Sequence, residues 1–589
     1  MSETHGTHGC IPKPEALRAD VLLSGGTVLN VYSGELVKTD VALRGEKIWY
    51  VGPLGDTVGQ NTTVINVEGR VLVPGYMDPH MHPWNLYDPR TFGMEACRLG
   101  TTTLVCDNLV FFILMSLPSF ERLMETFRQM PTRFFWFCRA MPQTPMANEG
   151  EIFSLRNLRR LLKNPSVQSL GEITRWQELV TGNPRLSSVI RMTKGLRKRV
   201  DGHTAGAKYE NLNDIARAGV ESCHESITCE EVLERLRLGF YVMLRESSLR
   251  QDLRELLRAV VEKNVLTDRI MLTTDCSSPS FYEEFGVTDN LVRIAIKAGV
   301  DPVTAYRMVT INPAVYFGMD HQIGAIAPGR FADILVLKDL LHPTPEKVIA
   351  GGRLVAEKGE ILESFPQVRW EDFFPPASRF DGSWRASEHF FTIPCEGTRV
   401  SFPVIRLVSC VITRREETEF LTRDGFLDFR GREGICLLSL LDWGGAWVSN
   451  GLLAGFADRV EGLASSFNTA TQVLAIGQNP AAMRQAVNRV LEIGGGIVAF
   501  EGGKVAYELR LPLGGMMSDA PMTELAQKDR EIRAFLSARG FPFHDPLYTL
   551  IFLPNDFLPE VRLNRNGVVD IRNGVTLWPR RELGQYVSG

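Results

Sequence analysis

The 589-residue sequence has no apolar run long enough to cross a membrane, no closely paired cysteines, and no surplus of either charge. The longest apolar stretch, Leu109 to Met115 and its neighbours, stops at Pro118, well short of the ~18 residues that a span requires. It reads as a buried strand or helix. The N-terminus has no basic region followed by an apolar one, so a cytoplasmic location and no membrane partner are the expectations. Ten cysteines occur without any C-x-x-C pair, which argues against a disulfide framework and for small buried apolar residues. Lys plus Arg number 65 against 69 Asp plus Glu, a net charge of −4 with both signs mixed along the chain. That balance leaves no footprint for nucleic acid and points to a small molecule as the partner. His5, His8 and Cys10 stand in a Gly-rich tail, residues 1–17, that reads as flexible rather than as a metal site.

What is present is the composition of an ordinary globular protein, 44% hydrophobic and 23% charged, in a chain too long for one core. Residues 18–73 alternate apolar residues with Gly and charges, the pattern of short strands and turns. A second stretch of that character, 323–395, is expected to join the first as one β-sandwich around an insertion. In the insertion, 74–322, apolar runs such as Thr102–Cys106, Phe134–Cys138 and Arg269–Thr274 alternate with helix-like segments. This predicts an α/β fold of the (β/α)8 barrel type, whose chemistry sits at the strand C-termini. Residues 396–589 read as a separate α+β domain. Its Gly494-Gly-Gly496 follows a helix pattern and reads as a helix stop, not a phosphate cradle.

The strongest local signal is His80-Met-His82, which closes an apolar segment just after Asp78. Spaced i, i+2 on a strand, both imidazoles point to one face and make half a site for a divalent metal. Flanked by Pro79 and Pro83, they could equally be polar turn residues. In a barrel, further ligands should appear singly at strand ends, tens of residues apart. Glu172, His203, His224 and Asp275 fit that rule. Four histidines and two acids exceed the needs of one tetrahedral ion, so two ions sharing Glu172 are expected, with Asp275 as general base and proton shuttle.

These residues resemble the adenine deaminase family of the amidohydrolase superfamily, in the divergent branch that carries Pro79, Pro83 and Ser280-Phe-Tyr-Glu283. The resemblance covers most of the chain. Its matching segments include Pro74-Gly-Tyr-Met-Asp-Pro-His-Met-His82, Gly171-Glu172, Asp201-Gly-His203, Ala218 to Glu225, Leu238 to Glu246, Thr274-Asp275, Gly324 to Arg330 and Ala486 to Gly496. It implies His80, His82, His203 and His224 as metal ligands, Glu172 as a bridging acid that also serves catalysis, and Asp275 as the catalytic acid/base. The implied reaction is hydrolysis of adenine to hypoxanthine and ammonia, with manganese or iron the usual metal, zinc suiting the same donors, and a homo-oligomer the expected assembly. Glu225, Glu246 and Ser278 are expected to contact substrate or to support the ligands from behind.

The chain departs from the family pattern in two places. Asp275 is followed by Cys276-Ser-Ser-Pro279 rather than by a second Asp and a His-Pro, and Asn468-Thr-Ala-Thr-Gln472 replaces a His-Asp-Ser-His-Asn run. Two other readings therefore stay open: a cyclic-amide or N-acyl hydrolase with the same metal pair, and a ligand-binding relative that has lost activity. The retained Asp275 speaks against the second. A zinc deaminase of the nucleic-acid editing type is excluded, because its H-x-E and P-C-x-x-C pieces are missing. His342, His389 and His544 lie outside the motifs and read as surface or packing residues.

Overall fold

The computed structural model describes residues 19–53, 59, 61–374, 384–558 and 560–584. The tail with His5, His8 and Cys10 lies outside them. Between 74 and 322 the apolar runs form eight parallel strands: β1 (Tyr76–Met81), β2 (Thr101–Asp107), β3 (Arg133–Cys138), β4 (Val167–Ile173), β5 (Arg199–Gly202), β6 (Ser222–Cys223), β7 (Tyr241–Arg245) and β8 (Ile270–Thr273). Each pairs with the next in chain order. Helices cover the outside, so both faces are buried and the strands read as continuous apolar runs; all seven residues of β2 are buried. Gly171 lets β4 lie close to β5, since a Cβ there would stand 3.0 Å from the Cβ of Asp201.

Side chains and a crossing segment bring β8 back to β1 and all but close the barrel. Asp78 in β1 accepts hydrogen bonds from Thr273 Oγ1 at 2.7 Å, Thr274 Oγ1 at 2.6 Å and Thr274 N at 3.1 Å. Beneath them, Met77 N donates to Val309 O and Leu272 N to Met308 O.

Val71–Pro74, just before the barrel, pairs antiparallel with Ile334–Leu337, just after it, so one seven-stranded sheet contains both flanking segments. A four-stranded sheet from residues 21–66 packs on it through Leu23, Val41, Leu43, Leu72, Ile334 and Val336, the core of a β-sandwich. From 399 onward a mixed ten-stranded sheet carries the helix Pro480–Glu492. Gly494 ends that helix at φ +77, a conformation glycine adopts without strain. The cysteines among the described residues are free, and all but Cys395 are buried.

Three helices fix the C-terminal sheet against the barrel: α1 (Pro279–Phe285), which follows β8, and α2 (Met522–Ser537) and α3 (Pro546–Phe552) from the C-terminal part. Ser280 N donates to Asp529 at 3.1 Å and Arg530 pairs with Glu283 at 2.5 Å. Met517–Ser518 pairs in parallel with Leu86–Tyr87, in the loop after β1.

Asp78→Ala would strand two buried donors at the β8/β1 seam, Thr274 N and Thr274 Oγ1, while Thr273 Oγ1 keeps His80 O. We expect a loss of about 2–4 kcal/mol in urea unfolding; an unchanged midpoint would show that the seam does not need this carboxylate.

Candidate metal centre and active site

The strand ends bring the four histidines and two acids to one place at the C-terminal mouth of the barrel. His80 Nε2 lies 3.2 Å, His224 Nε2 3.4 Å and His82 Nε2 3.8 Å from Glu172 Oε2. His203 Nδ1 lies 3.5 Å from Glu172 Oε1. Asp275 Oδ1 stands 3.4 Å from His80 Nε2 and 3.2 Å from His82 Nε2. The ligand atoms fall into three sets, each within 4.8 Å: His80 with His82 and Asp275, Glu172 with His203 and His224, and His80 with Asp201 and His224, which overlaps both.

Many of these buried atoms make no well-formed hydrogen bond, although some face one another at ion-pair distance: both ring nitrogens of His80 and of His203, His224 Nδ1, Glu172 Oε2 and Asp201 Oδ2. Leaving one such atom unsatisfied costs about 1–3 kcal/mol. A divalent cation takes up the ring and carboxylate lone pairs together, and imidazole with carboxylate is a donor set that suits zinc, iron or manganese. The residues fit a metal centre.

Around the ligands runs a layer of charge that the motifs did not single out. Arg139, just past β3, donates from Nε and Nη2 to Asp107 at 3.0 and 3.1 Å and from Nη1 to Glu172 Oε1 at 3.0 Å. Asp107, at the end of β2, accepts from His82 Nδ1 at 2.7 Å and fixes which nitrogen of that ring faces inward. Asp201 Oδ2 stands 2.9 Å from His80 Nδ1, while its other oxygen accepts from Ser222 Oγ at 2.6 Å. Asp107 and Arg139 each sit one residue beyond an apolar run; a rule that charged groups at barrel strand ends face the site would have found both.

Burial would raise the pKa of Glu172, but Arg139 and then His203 outweigh it and hold the carboxyl well below its usual range. Burial likewise opposes ionisation of Asp275, where Arg245 and then His82 prevail. Desolvation works against a charged His82 ring, yet the hydrogen bonds to Asp107 and Asp275 push its pKa up to about 9. In His203 burial wins, and the pKa falls despite Glu225 and Glu172.

Asp275 and Cys276 both adopt positive φ, +50 and +83, a conformation that costs non-glycine residues energy and persists where neighbours enforce it. The neighbours are evident. Tyr548 OH, in α3, donates to Cys276 O at 2.9 Å, and Asn85 Nδ2 and Tyr87 OH donate to Ser277 O at 2.9 and 3.1 Å. Arg245 Nη1 grips Asp275 Oδ2 and also donates to Glu225 Oε1 at 2.7 Å.

The remaining candidates divide. Glu225 lines the cavity above the ligands, its oxygens taken by Arg245 and Arg250, and though burial opposes this, they hold its pKa at about 2. Ser278 lies outside the cavity lining, where its Oγ accepts from Arg533 at 2.9 Å, a link to the C-terminal domain. Glu246 also lies outside it: its carboxylate accepts from Leu253 N at 3.2 Å, and burial pushes its pKa up to about 7. The 468–472 turn is not in the cavity wall either; Thr469 N donates to Ile551 O, so the turn supports α3 from behind. His544 is exposed at the cavity rim.

The cavity measures about 470 Å³. Glu172, His82, His203, His224 and Asp275 line its inner end, and the C-terminal domain supplies much of the rest. Phe557 stands edge-on to His203 with ring centroids 4.9 Å apart.

Residues 71–355 match the amidohydrolase family and residues 410–574 the adenine deaminase C-terminal domain. A Halalkalibacterium halodurans protein named "Putative adenine deaminase" is 35% identical over 95% of this chain and 95% of its own. The chain belongs to the adenine deaminase family of amidohydrolases. A Bacillus subtilis protein with the same name is 34% identical over 95% of each chain, and the "Adenine deaminase" of Moorella thermoacetica is 31% identical over 94% of each. The familial metal chemistry thus meets the buried, unsatisfied cluster found at the barrel mouth.

Glu246 yields a pH test. Its folded pKa of about 7 lies above the ordinary 4.5, so the folded state holds the proton more tightly. The resulting stability is complete below about pH 4.5 and is lost as pH rises through 7. Glu246→Gln should therefore raise Tm relative to wild type more at pH 8 than at pH 5; a difference independent of pH would contradict the buried neutral carboxyl.

Proposed function

We propose that the protein is a hydrolytic deaminase that converts adenine and water to hypoxanthine and ammonia, or acts on a closely related amino-heterocycle. Two divalent ions, manganese or iron by family resemblance, with zinc also compatible, would be held by His80, His82, His203 and His224 and shared through Glu172. The observation that carries the reading is the position of Asp275. One oxygen stands beside both His80 and His82, and the other is held by Arg245.

When bound, such ions acidify water and stabilise charge that develops on the substrate. The rest falls to side chains. Glu172 turns its two oxygens toward different histidines, the arrangement a bridging carboxylate requires. Arg245 keeps Asp275 ionised, so its Oδ1, which faces His82 and His80 rather than the guanidinium, would accept the proton of the attacking water and pass it to the departing amino group. Phe557 and Tyr548 in the cavity wall limit the entry of bulk water.

Among the rivals, an N-acyl hydrolase acting on carboxylate-bearing substrates would need an available cation. The arginines lining the cavity are already matched, Arg245 by Glu225 and Asp275, and Arg250 by Glu225 and Asp252. An uncharged heterocycle suits this lining better. A binding-only relative would have no use for an oriented, ionised acid beside the ligands. Homo-oligomeric assembly, from the resemblance, and cytoplasmic location, from the N-terminal sequence, belong to the same proposal.

The test is ammonia release from adenine by manganese-loaded protein. Asp275→Asn should retain bound metal and lose kcat by about 10²–10⁴-fold. Full activity in that variant would remove the acid/base role, and no ammonia from the metal-loaded wild type would turn the search to other amino-heterocycles and cyclic amides.

A further inference from the structure

The cavity is both larger and more apolar than a bare base needs. Cavities of roughly 300–1,000 Å³ take drug-sized ligands, and this one, at about 470 Å³, is open beyond its catalytic floor. The C-terminal domain lines that outer part with Val411, Ile412, Ile551, Phe552, Phe557 and Leu558. Leu249 joins them from the barrel, and Ile227, half exposed, stands at the rim. The two lining arginines are neutralised by carboxylates, so nothing there favours a phosphate or carboxylate. Polar groups share the lining, Gln143, Ser409 and His544 among them, but the aliphatic and aromatic side chains outnumber them, so a sugar's several hydroxyls would leave most of their water bonds unreplaced.

The reacting carbon must approach Glu172 and Asp275 at the inner end. The opposite ring edge then points outward, toward the apolar wall. We propose that the natural substrate is an uncharged aminopurine-like heterocycle carrying an apolar substituent on the edge remote from its amino carbon. This rests on the deaminase reading above and adds the substituent to it.

The experiment compares ammonia release from adenine, 9-propyladenine and adenosine by the manganese-loaded enzyme, with bound metal measured on the same sample. Burial of the propyl group should raise kcat/KM over adenine by about tenfold or more, chiefly through KM, with adenosine below both. Leu558→Ser, at a half-buried position, should narrow the ratio of 9-propyladenine to adenine. Deamination of adenine with no gain from the propyl group, or a preference for adenosine, overturns the substituent alone. Ammonia from none of the three, with ions bound, overturns the deaminase reading itself.

Discussion

One buried guanidinium, that of Arg139, ties the ligand cluster together. It grips Asp107 with two hydrogen bonds and Glu172 with a third, so the acid that orients His82 and the acid facing all four histidines are set by one rigid fork. Four buried carboxylates, Asp107, Glu172, Asp201 and Glu225, and the half-buried Asp275 surround the site, against the guanidiniums of Arg139, Arg245 and Arg250. Ionised carboxylates in excess are costly away from water unless cations neutralise them. The same carboxylates drive the pKa of His82 up to about 9 although burial opposes its charge. A site built this way is incomplete until positive charge enters it.

The C-terminal domain belongs to the same mechanism. The loop after β8 presents Asp275 through two residues at positive φ, and much of what holds it comes from beyond the barrel: Tyr548 on Cys276 O, Arg533 on Ser278, and Asp529 on Ser280. Strain confined to a catalytic turn is tolerated when surrounding contacts fix it. The same helix that fixes the loop also supplies Ile551 and Phe552 to the cavity wall, so one domain positions the acid and shapes the space above it.

Much of this was legible in the chain. The barrel could be read because period and spacing agree: apolar runs end in His82, Glu172, His203, His224 and Asp275, and a parallel barrel gathers its strand ends. The sandwich showed itself as two similar pieces flanking the insertion. Asp107, Arg139 and Arg245 were not singled out because lone charges after apolar runs carry no spacing signal, although each occupies a strand end as the histidines do. Glu246 illustrates the opposite error. It follows Arg245 directly, just past the end of β7, and its side chain turns away from the site: Arg245 reaches Asp275 while Glu246 accepts from Leu253 N. Asn468 to Gln472 departs from the family pattern in sequence, yet it lies behind α3, and the residues that shape the cavity from this domain are 409–412 and 543–558.

The most direct test of a binuclear centre organised by Glu172 is a metal count combined with anomalous diffraction on manganese-loaded protein, repeated for Glu172→Ala. The account predicts two ions per chain, one beside His80, His82 and Asp275 and one beside His203 and His224, with the count falling in the variant. A single ion, ions bound away from these residues, or two ions undiminished in Glu172→Ala would contradict it.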